Sequence, residues 1–381
     1  MRSLTISTVQ HSRSSRESEM NALRGIESAQ SRNLNMLFNI EVDEGARIVG
    51  YLVPDAFTGS PSVRITDGHQ DLLVLQCREE RAALVAAGRH DNGRCGFTID
   101  ETIIPNLAQQ EALEIYDQHT NILIYRRRPP SRVTQRRIFR LETHLFPLWR
   151  LDDSIEQRFQ YFHKGVERHG RETSTQVFLL NHSTSLYLSG RLIFKAYDNY
   201  INETFNCVAL IRDPYMELAE RLLTLKYVRG VGKEILGERD LMAFAPAIAF
   251  AQTIEDDEKV LHRAFSTMSR AAIANLANPL TRQLAARAPD EMPSKGAVAT
   301  ALGTLSSFAV LGVRERPGLF LMQLADLVGT RVDALPPIPD FVRTAELAQL
   351  LKAVPETAIL IEQDLEVYRE VQTAIERSSV H

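Results

Sequence analysis

Gln176-Val177-Phe178-Leu179-Leu180, Asn181-His182-Ser183-Thr184-Ser185, the run from Leu186 to Tyr200, Phe205 to Ile211 and then Arg212-Asp213-Pro214 form the stretch on which the fold reading turns. Its first five residues are an apolar run of the length expected for an interior parallel strand. Small hydroxyl residues break that run. Leu186 to Tyr200 continues with helical spacing, and Phe205 to Ile211 is again apolar and strand-like until Arg212-Asp213-Pro214 terminates it. This order sets a hydroxyl-rich turn and a helix N-terminus beside an arginine at the tip of the next strand. Unpaired N–H groups and the helix dipole favour negative charge at such a place, so the stretch suits an anionic ligand. A plain α/β crossover with a polar turn fits the same spacing.

The chain has 381 residues, enough for two domains with separate cores. Its net charge of -4 argues against a general nucleic-acid binder, whose domain is strongly basic. No apolar run approaches bilayer length, and Met1-Arg2-Ser3-Leu4-Thr5 lacks the apolar core of a secretory signal, so a cytoplasmic location is expected. Residues 1–34 are crowded with serine and arginine and read as a disordered tail. Cys77, Cys95 and Cys207 form no C-x-x-C pair. They read as small buried hydrophobes rather than as a disulfide frame or zinc ligands, and no metal is expected.

Residues 35–128 read as all-β. Met36–Glu41, Ala46–Val53, Ser62–Thr66, Asp71–Cys77, Cys95–Ile99, Leu113–Tyr116 and Asn121–Arg126 are candidate strands. Asp43-Glu44-Gly45, Pro54-Asp55, Gly59-Ser60-Pro61, Asp67-Gly68 and Asp91-Asn92-Gly93 are turn formers between them, the pattern of a small sandwich. Gly50-Tyr51-Leu52-Val53-Pro54-Asp55, Asp67-Gly68 and Gly96-Phe97 resemble a β module attached to some bacterial glycosyltransferases and other glycan-modifying enzymes. Arg126-Arg127-Arg128-Pro129-Pro130-Ser131-Arg132, with Arg136, Arg137 and Arg140, marks residues 129–140 as a basic linker. Its arginines can be solvated, or can touch an acidic glycan or a membrane surface.

From 141 to 381 the chain is mixed α/β with helix in excess. Expected helices are Asp152–Gly170, Met216–Tyr227, Glu255–Ala277, Ala297–Leu305, Pro317–Val328 and Thr357–Glu376, with a strand at Phe308–Gly312. The fold class is α/β: a P-loop-like parallel sheet flanked by helices, preceded by a small all-β sandwich-like domain. Asp213 reads as the cap of the next helix, with Pro214 in its first turn. Glu217 and Glu220, three apart on that helix, read as solvated charges or as a base. Gly230-Val231-Gly232-Lys233 and Ser294-Lys295-Gly296 are short Gly-Lys runs with no strand assigned before them.

Strand, Ser-Thr turn, helix, strand, Arg-Asp-Pro and amphipathic helix, followed by Phe308 to Glu315, Phe320 to Leu327 and Asp364 to Tyr368, resemble the P-loop-like bacterial carbohydrate sulfotransferases over residues 140–381. That resemblance implies sulfuryl transfer from 3'-phosphoadenosine 5'-phosphosulfate to a hydroxyl of a bacterial surface glycan or glycolipid, without a metal. It implies that Ser183, Thr184 and Ser185 hold the 5'-phosphosulfate, that Arg212 holds the 3'-phosphate, and that His182 assists departure of the leaving group. The sequence departs from the family in three places. The loop has no lysine or arginine, it has no glycine, and Glu220 stands where a serine contacts the 3'-phosphate. The alternatives are a non-catalytic glycan- or partner-binding protein with a degenerate nucleotide fold, and a metal-independent glycosyltransferase.

Overall fold

A computed structural model describes residues 36–54, 61–180, 183–228 and 235–378. Strands β1 (Leu37–Asp43), β2 (Arg47–Val53), β3 (Ser62–Thr66), β4 (Asp71–Gln76), β5 (Glu79–Glu80), β6 (Arg94–Asp100), β7 (Leu113–Asp117) and β8 (Leu123–Arg127) build two four-stranded antiparallel sheets. Their orders are β1-β2-β6-β5 and β4-β3-β7-β8. Alternate residues point inward: Val63 and Ile65 of β3 face Leu75 and Leu73 of β4, and Ile48 of β2 faces Ile99 of β6. Gly45, Gly68 and Gly93 supply the left-handed backbone at the turns, as the Asp-Glu-Gly, Asp-Gly and Asn-Gly signals require.

A five-stranded parallel sheet follows, made of β9 (Arg137–Leu141), β10 (Tyr161–Lys164), β11 (Leu186–Gly190), β12 (Asn206–Ile211) and β13 (Val310–Val313) in the order β10-β11-β9-β12-β13. Helices cover both faces. Ile138, Tyr187, Val208 and Leu210 pack with the helices Trp149–Ile155 and Pro317–Val328. Phe139, Leu188, Ala209 and Ile211 point the other way, towards Arg171–Phe178 and Ala297–Leu305. That second core runs on without a break into Phe38, Ile65 and Ile124 of the antiparallel sheets. Met36 N and Phe38 O also bond to Thr173 and Gln176. The β module is therefore built onto the α/β part, and no free linker separates them.

Three sequence expectations are corrected here. The run Gln176–Leu180 is not a strand: the helix Arg171–Phe178 occupies it, burying Thr173, Ser174, Val177 and Phe178 on one face. A five-residue apolar run cannot tell strand from helix, and the deciding face includes two small hydroxyl residues that read as polar. Leu186–Gly190 is not helical but an interior strand, buried at every position and so showing no alternation. Residues 137–140 of the expected linker belong instead to β9, the central strand, which starts at Arg137.

Several arginines of the basic segment Arg126–Arg140 are held inside the protein. Arg126 lies between Glu114 and Glu156 at 2.6 Å each, and Arg127 bonds Asp43. The Arg137 guanidinium sits 4.6 Å from the Phe205 ring centroid and donates to the carbonyls of Phe178 and Leu180. Arg140 is buried against Asp152 and Glu142. A peripheral membrane contact through this segment finds those guanidiniums already paired, with Arg132 and Arg136 exposed. Among the described residues no helix is long and apolar enough to cross a membrane.

The remaining helices fall close to expectation. Ala297–Leu305 and Pro317–Val328 match residue for residue, while Glu255–Ala277 resolves into Glu258–Ser266 and Arg270–Leu276. Thr357–Glu376 is divided into Pro355–Leu360 and Glu362–Ser378. Asp152–Gly170 contains only the end of a helix, followed by β10.

Candidate site at the carboxyl edge of the parallel sheet

All five strands run the same way, so the sheet has an amino edge and a carboxyl edge. The helix that follows β9 packs on one face, whereas the segment that follows β11, with Phe194 and Ile201, and the helix Ala297–Leu305 that leads from β12 into β13 pack on the other. The loop after β9 therefore stands at the switch point of the sheet, where open α/β folds form their ligand crevice.

The turn Ser183-Thr184-Ser185 lies at the other edge. Leu186 is level with Arg137, and Ala209 with Leu141. Ser185 thus stands one position before Arg137 and Arg212 three positions after Leu141, eight positions apart in all, or roughly 25 Å along the strands. The turn precedes a strand and not a helix, so it holds no helix N-terminus. Its hydroxyls are engaged locally: Ser183 Oγ donates to Gln160 Oε1 at 2.8 Å, Thr184 Oγ1 to Gln135 Oε1 at 2.6 Å, and Ser185 Oγ accepts from Gln160 N at 3.1 Å. His182 lies outside the described residues, as does Gly230–Lys233. The structure does not bring Ser183, Thr184 and Ser185 together with Arg212. Ser294-Lys295-Gly296 follows the helix Pro279–Ala285, so no strand precedes it.

Arg212 and Asp213 are where the sequence places them. Asp213 Oδ1 accepts from Tyr215 N at 2.9 Å and Met216 N at 3.1 Å, and Pro214 opens the helix Pro214–Lys226. Arg212, 4% exposed, leaves the end of β12, and Arg314, also buried, leaves the end of neighbouring β13. Both guanidiniums close on Glu220, Arg212 at 2.6 Å and Arg314 at 3.0 and 3.1 Å. The Glu220 carboxylate thus points directly at the two arginines. The second nitrogen of Arg212 reaches Asp340 at 2.7 Å, whose side chain is 73% exposed. Arg314 also donates to the Pro339 carbonyl, and Phe341 meets Phe146 of the β9 loop edge-on at 5.6 Å. Glu217, paired with Arg221 at 3.1 Å, is buried, so neither glutamate of this helix is a solvated surface charge.

Beside these arginines, the β9 end carries a second polar network that sequence reading misses. Asp152, on the helix after the loop, accepts two bonds from Arg140 at 2.7 and 2.8 Å, and one each from Tyr187 and Ser189. Arg140 also reaches Glu142 at 2.9 Å. The Glu142 carboxylate further accepts from Leu148 N at 2.7 Å and His144 N at 3.2 Å, and lies 3.1 Å from His144 Nδ1. Burial raises the Glu142 pKa, but Arg140 and His144 outweigh it and hold the carboxyl below its ordinary range. The Arg140 pKa is lowered by burial and raised further by Asp152 and Glu142, with a rise as the result. Gln283 donates to the Glu142 carbonyl, and Thr143 Oγ1 donates to the Leu210 carbonyl at 2.6 Å, tying the β9 loop to β12. The available signal was Glu142-Thr143-His144 after Arg137-Ile138-Phe139-Arg140-Leu141, hidden because the two arginines disguise β9.

Cys77, Cys95 and Cys207 are free and buried, and burial pushes the Cys77 and Cys207 thiols up to about 12. Among the described residues no three His, Cys, Asp or Glu side chains gather in a metal-holding group. No protein-family model matches the chain, and no curated protein and no solved structure matches it either.

Proposed function

We propose that the protein is a group-transfer enzyme that holds a phosphorylated donor nucleotide at the carboxyl edge of its parallel sheet. In this reading the donor is 3'-phosphoadenosine 5'-phosphosulfate and the acceptor a hydroxyl of a bacterial surface glycan or glycolipid. The P-loop-like role passes from residues 182–185 to the strand–loop–helix formed by β9, 142–148 and Trp149–Ile155. One observation carries the reading: Arg212 and Arg314, buried at the tips of adjacent strands, share Glu220, while the outer nitrogen of Arg212 is neutralised by an exposed aspartate. The four side chains sum to zero charge. A phosphate that displaces the solvated Asp340 carboxylate meets a guanidinium already desolvated and oriented, which favours binding over an exposed arginine.

Calorimetric titration with adenosine 3',5'-bisphosphate tests this. Binding is expected, with affinity rising about tenfold in Asp340→Asn, equal to about 1.4 kcal/mol, and disappearing in Arg212→Gln. Absence of heat at millimolar nucleotide, in both the folded wild type and Asp340→Asn, would defeat the proposal. The second reading, a non-catalytic glycan- or partner-binding protein, is favoured by Glu220 already satisfying both guanidiniums, and that outcome would support it.

A further inference from the structure

We propose that His144 is the catalytic base of this site and that Glu142 positions it; the assignment rests on reading the carboxyl edge as a group-transfer site. The atoms beside the imidazole decide which ring nitrogen carries the proton. Glu142 is ionised, so its Oε1, 3.1 Å from Nδ1, can only accept. Thr143 Oγ1, 3.3 Å from Nδ1, directs its hydroxyl proton to the Leu210 carbonyl at 2.6 Å, so towards the imidazole it too is an acceptor. Two acceptors at Nδ1 place the ring proton there, and Nε2 is left with a bare lone pair.

That lone pair is unmatched. His144 is 1% exposed and Nε2 has no hydrogen-bond partner among the described residues. A buried, unsatisfied polar atom costs about 1–3 kcal/mol, and such an atom calls for an explanation. The other polar atoms of the network are held: the Glu142 carboxylate by Arg140, Leu148 N and His144, and the Asp152 carboxylate by Arg140, Tyr187 and Ser189. An unmatched acceptor at the end of a satisfied chain, on the switch-point loop, is placed to meet a proton brought by a ligand. Orientation of an imidazole by a carboxylate at Nδ1, with Nε2 facing the reacting proton, is the geometry of a general base.

The network also suits the charge that forms. Arg140 carries one positive charge against Glu142 and Asp152, so an imidazolium at His144 balances the buried set and turns its bond to Glu142 into an ion pair. In the step assigned here, the acceptor hydroxyl oxygen attacks sulfur and forms the new S–O bond while its proton passes to Nε2. The S–O bond to the 5'-phosphate breaks, and its electron pair leaves with the phosphate of adenosine 3',5'-bisphosphate. No oxidant and no further reactant is needed.

The first test is histidine imidazole 15N NMR on the wild-type full chain near pH 7. The expected spectrum has the His144 proton on Nδ1 and an unprotonated Nε2, with Glu142→Gln disturbing that tautomer. The resonance is assigned by its loss in His144→Gln or, should that variant not fold, by through-bond connection to the wild-type backbone. A proton on Nε2 overturns the inference. The second test compares the bisphosphate dissociation constant with turnover of 3'-phosphoadenosine 5'-phosphosulfate in His144→Gln. Binding within about threefold of wild type with turnover reduced about 100-fold supports a base, whereas unchanged turnover overturns it. A wild-type chain that binds no bisphosphate removes the group-transfer reading and the base role with it. One that binds the nucleotide but protonates Nε2 removes only the present inference.

Discussion

The two edges of the parallel sheet carry similar numbers of polar side chains and treat them differently. At the amino edge the exposed Gln135 and Thr184, the half-buried Gln160 and the buried Ser183 and Ser185 bond among themselves through neutral hydrogen bonds. At the carboxyl edge Arg140, Glu142, His144, Asp152, Arg212, Glu220 and Arg314 are buried and charged or chargeable, and Nε2 of His144 and Nε of Arg314 lack partners. A network that satisfies itself closes a turn. One that desolvates several charges and leaves atoms unmatched costs stability unless something else uses it. That difference in buried charge is what the proposed group-transfer reading rests on, at the edge where the strand order also sets the crevice.

The largest expected effect is the removal of one partner of the buried charge network. Arg140→Met keeps much of the side-chain volume but strands Asp152 and Glu142 without their shared cation. Breaking a buried pair from one side costs about 3–5 kcal/mol, so urea denaturation is expected to show an unfolding free energy lowered by that amount, seen as a lower midpoint at unchanged slope. A loss under about 1 kcal/mol would put the carboxyl edge on the same footing as the amino edge and break the comparison.

A smaller effect concerns pH. On the same edge, at and after the end of β10, His163 and His169 meet Nε2 to Nε2 at 2.7 Å. Burial, His169 and Arg168 push the His163 pKa down to about 3, and burial and Arg168 push His169 down to about 4. Both folded-state values lie below the unfolded value near 6.5, so the unfolded chain binds more protons between them. The pair's full contribution to stability is therefore present above about pH 6.5 and declines as pH falls towards 4 and then 3. Stability measured across that window is expected to fall less steeply in His169→Gln than in the wild type. Equal slopes would remove the pair as a cause.

How much of this was legible follows the same physical division. Antiparallel strands half-exposed to water alternate, and their turns need left-handed residues, so Gly45, Gly68 and Gly93 punctuate the β module in the sequence as in the fold. The interior strand Leu186–Gly190 is buried on both faces and leaves no period to read. β9 is obscured for another reason: Arg137 and Arg140 look like surface charge because a sequence states charge but not its partner. Arg212-Asp213-Pro214 was legible because strand end, cap and first-turn proline are local features. Glu142-Thr143-His144 was not, since its meaning depends on Leu210 and Leu148 lying beside it.

The smallest expected effect is the sharpest check on where the site lies. Thr184 is exposed, and its hydroxyl makes one bond, to Gln135, so Thr184→Ala is expected to change stability by no more than about 0.5 kcal/mol. It is also expected to leave the dissociation constant of adenosine 3',5'-bisphosphate unchanged, because the turn stands roughly 25 Å along the strands from Arg212. The same titration that loses its signal in Arg212→Gln should then be superimposable on wild type in Thr184→Ala. If Thr184→Ala weakened the nucleotide tenfold while Arg212→Gln did not, the ligand would belong to the edge whose polar groups bond to one another, and the orphan atoms at the opposite edge would need another cause.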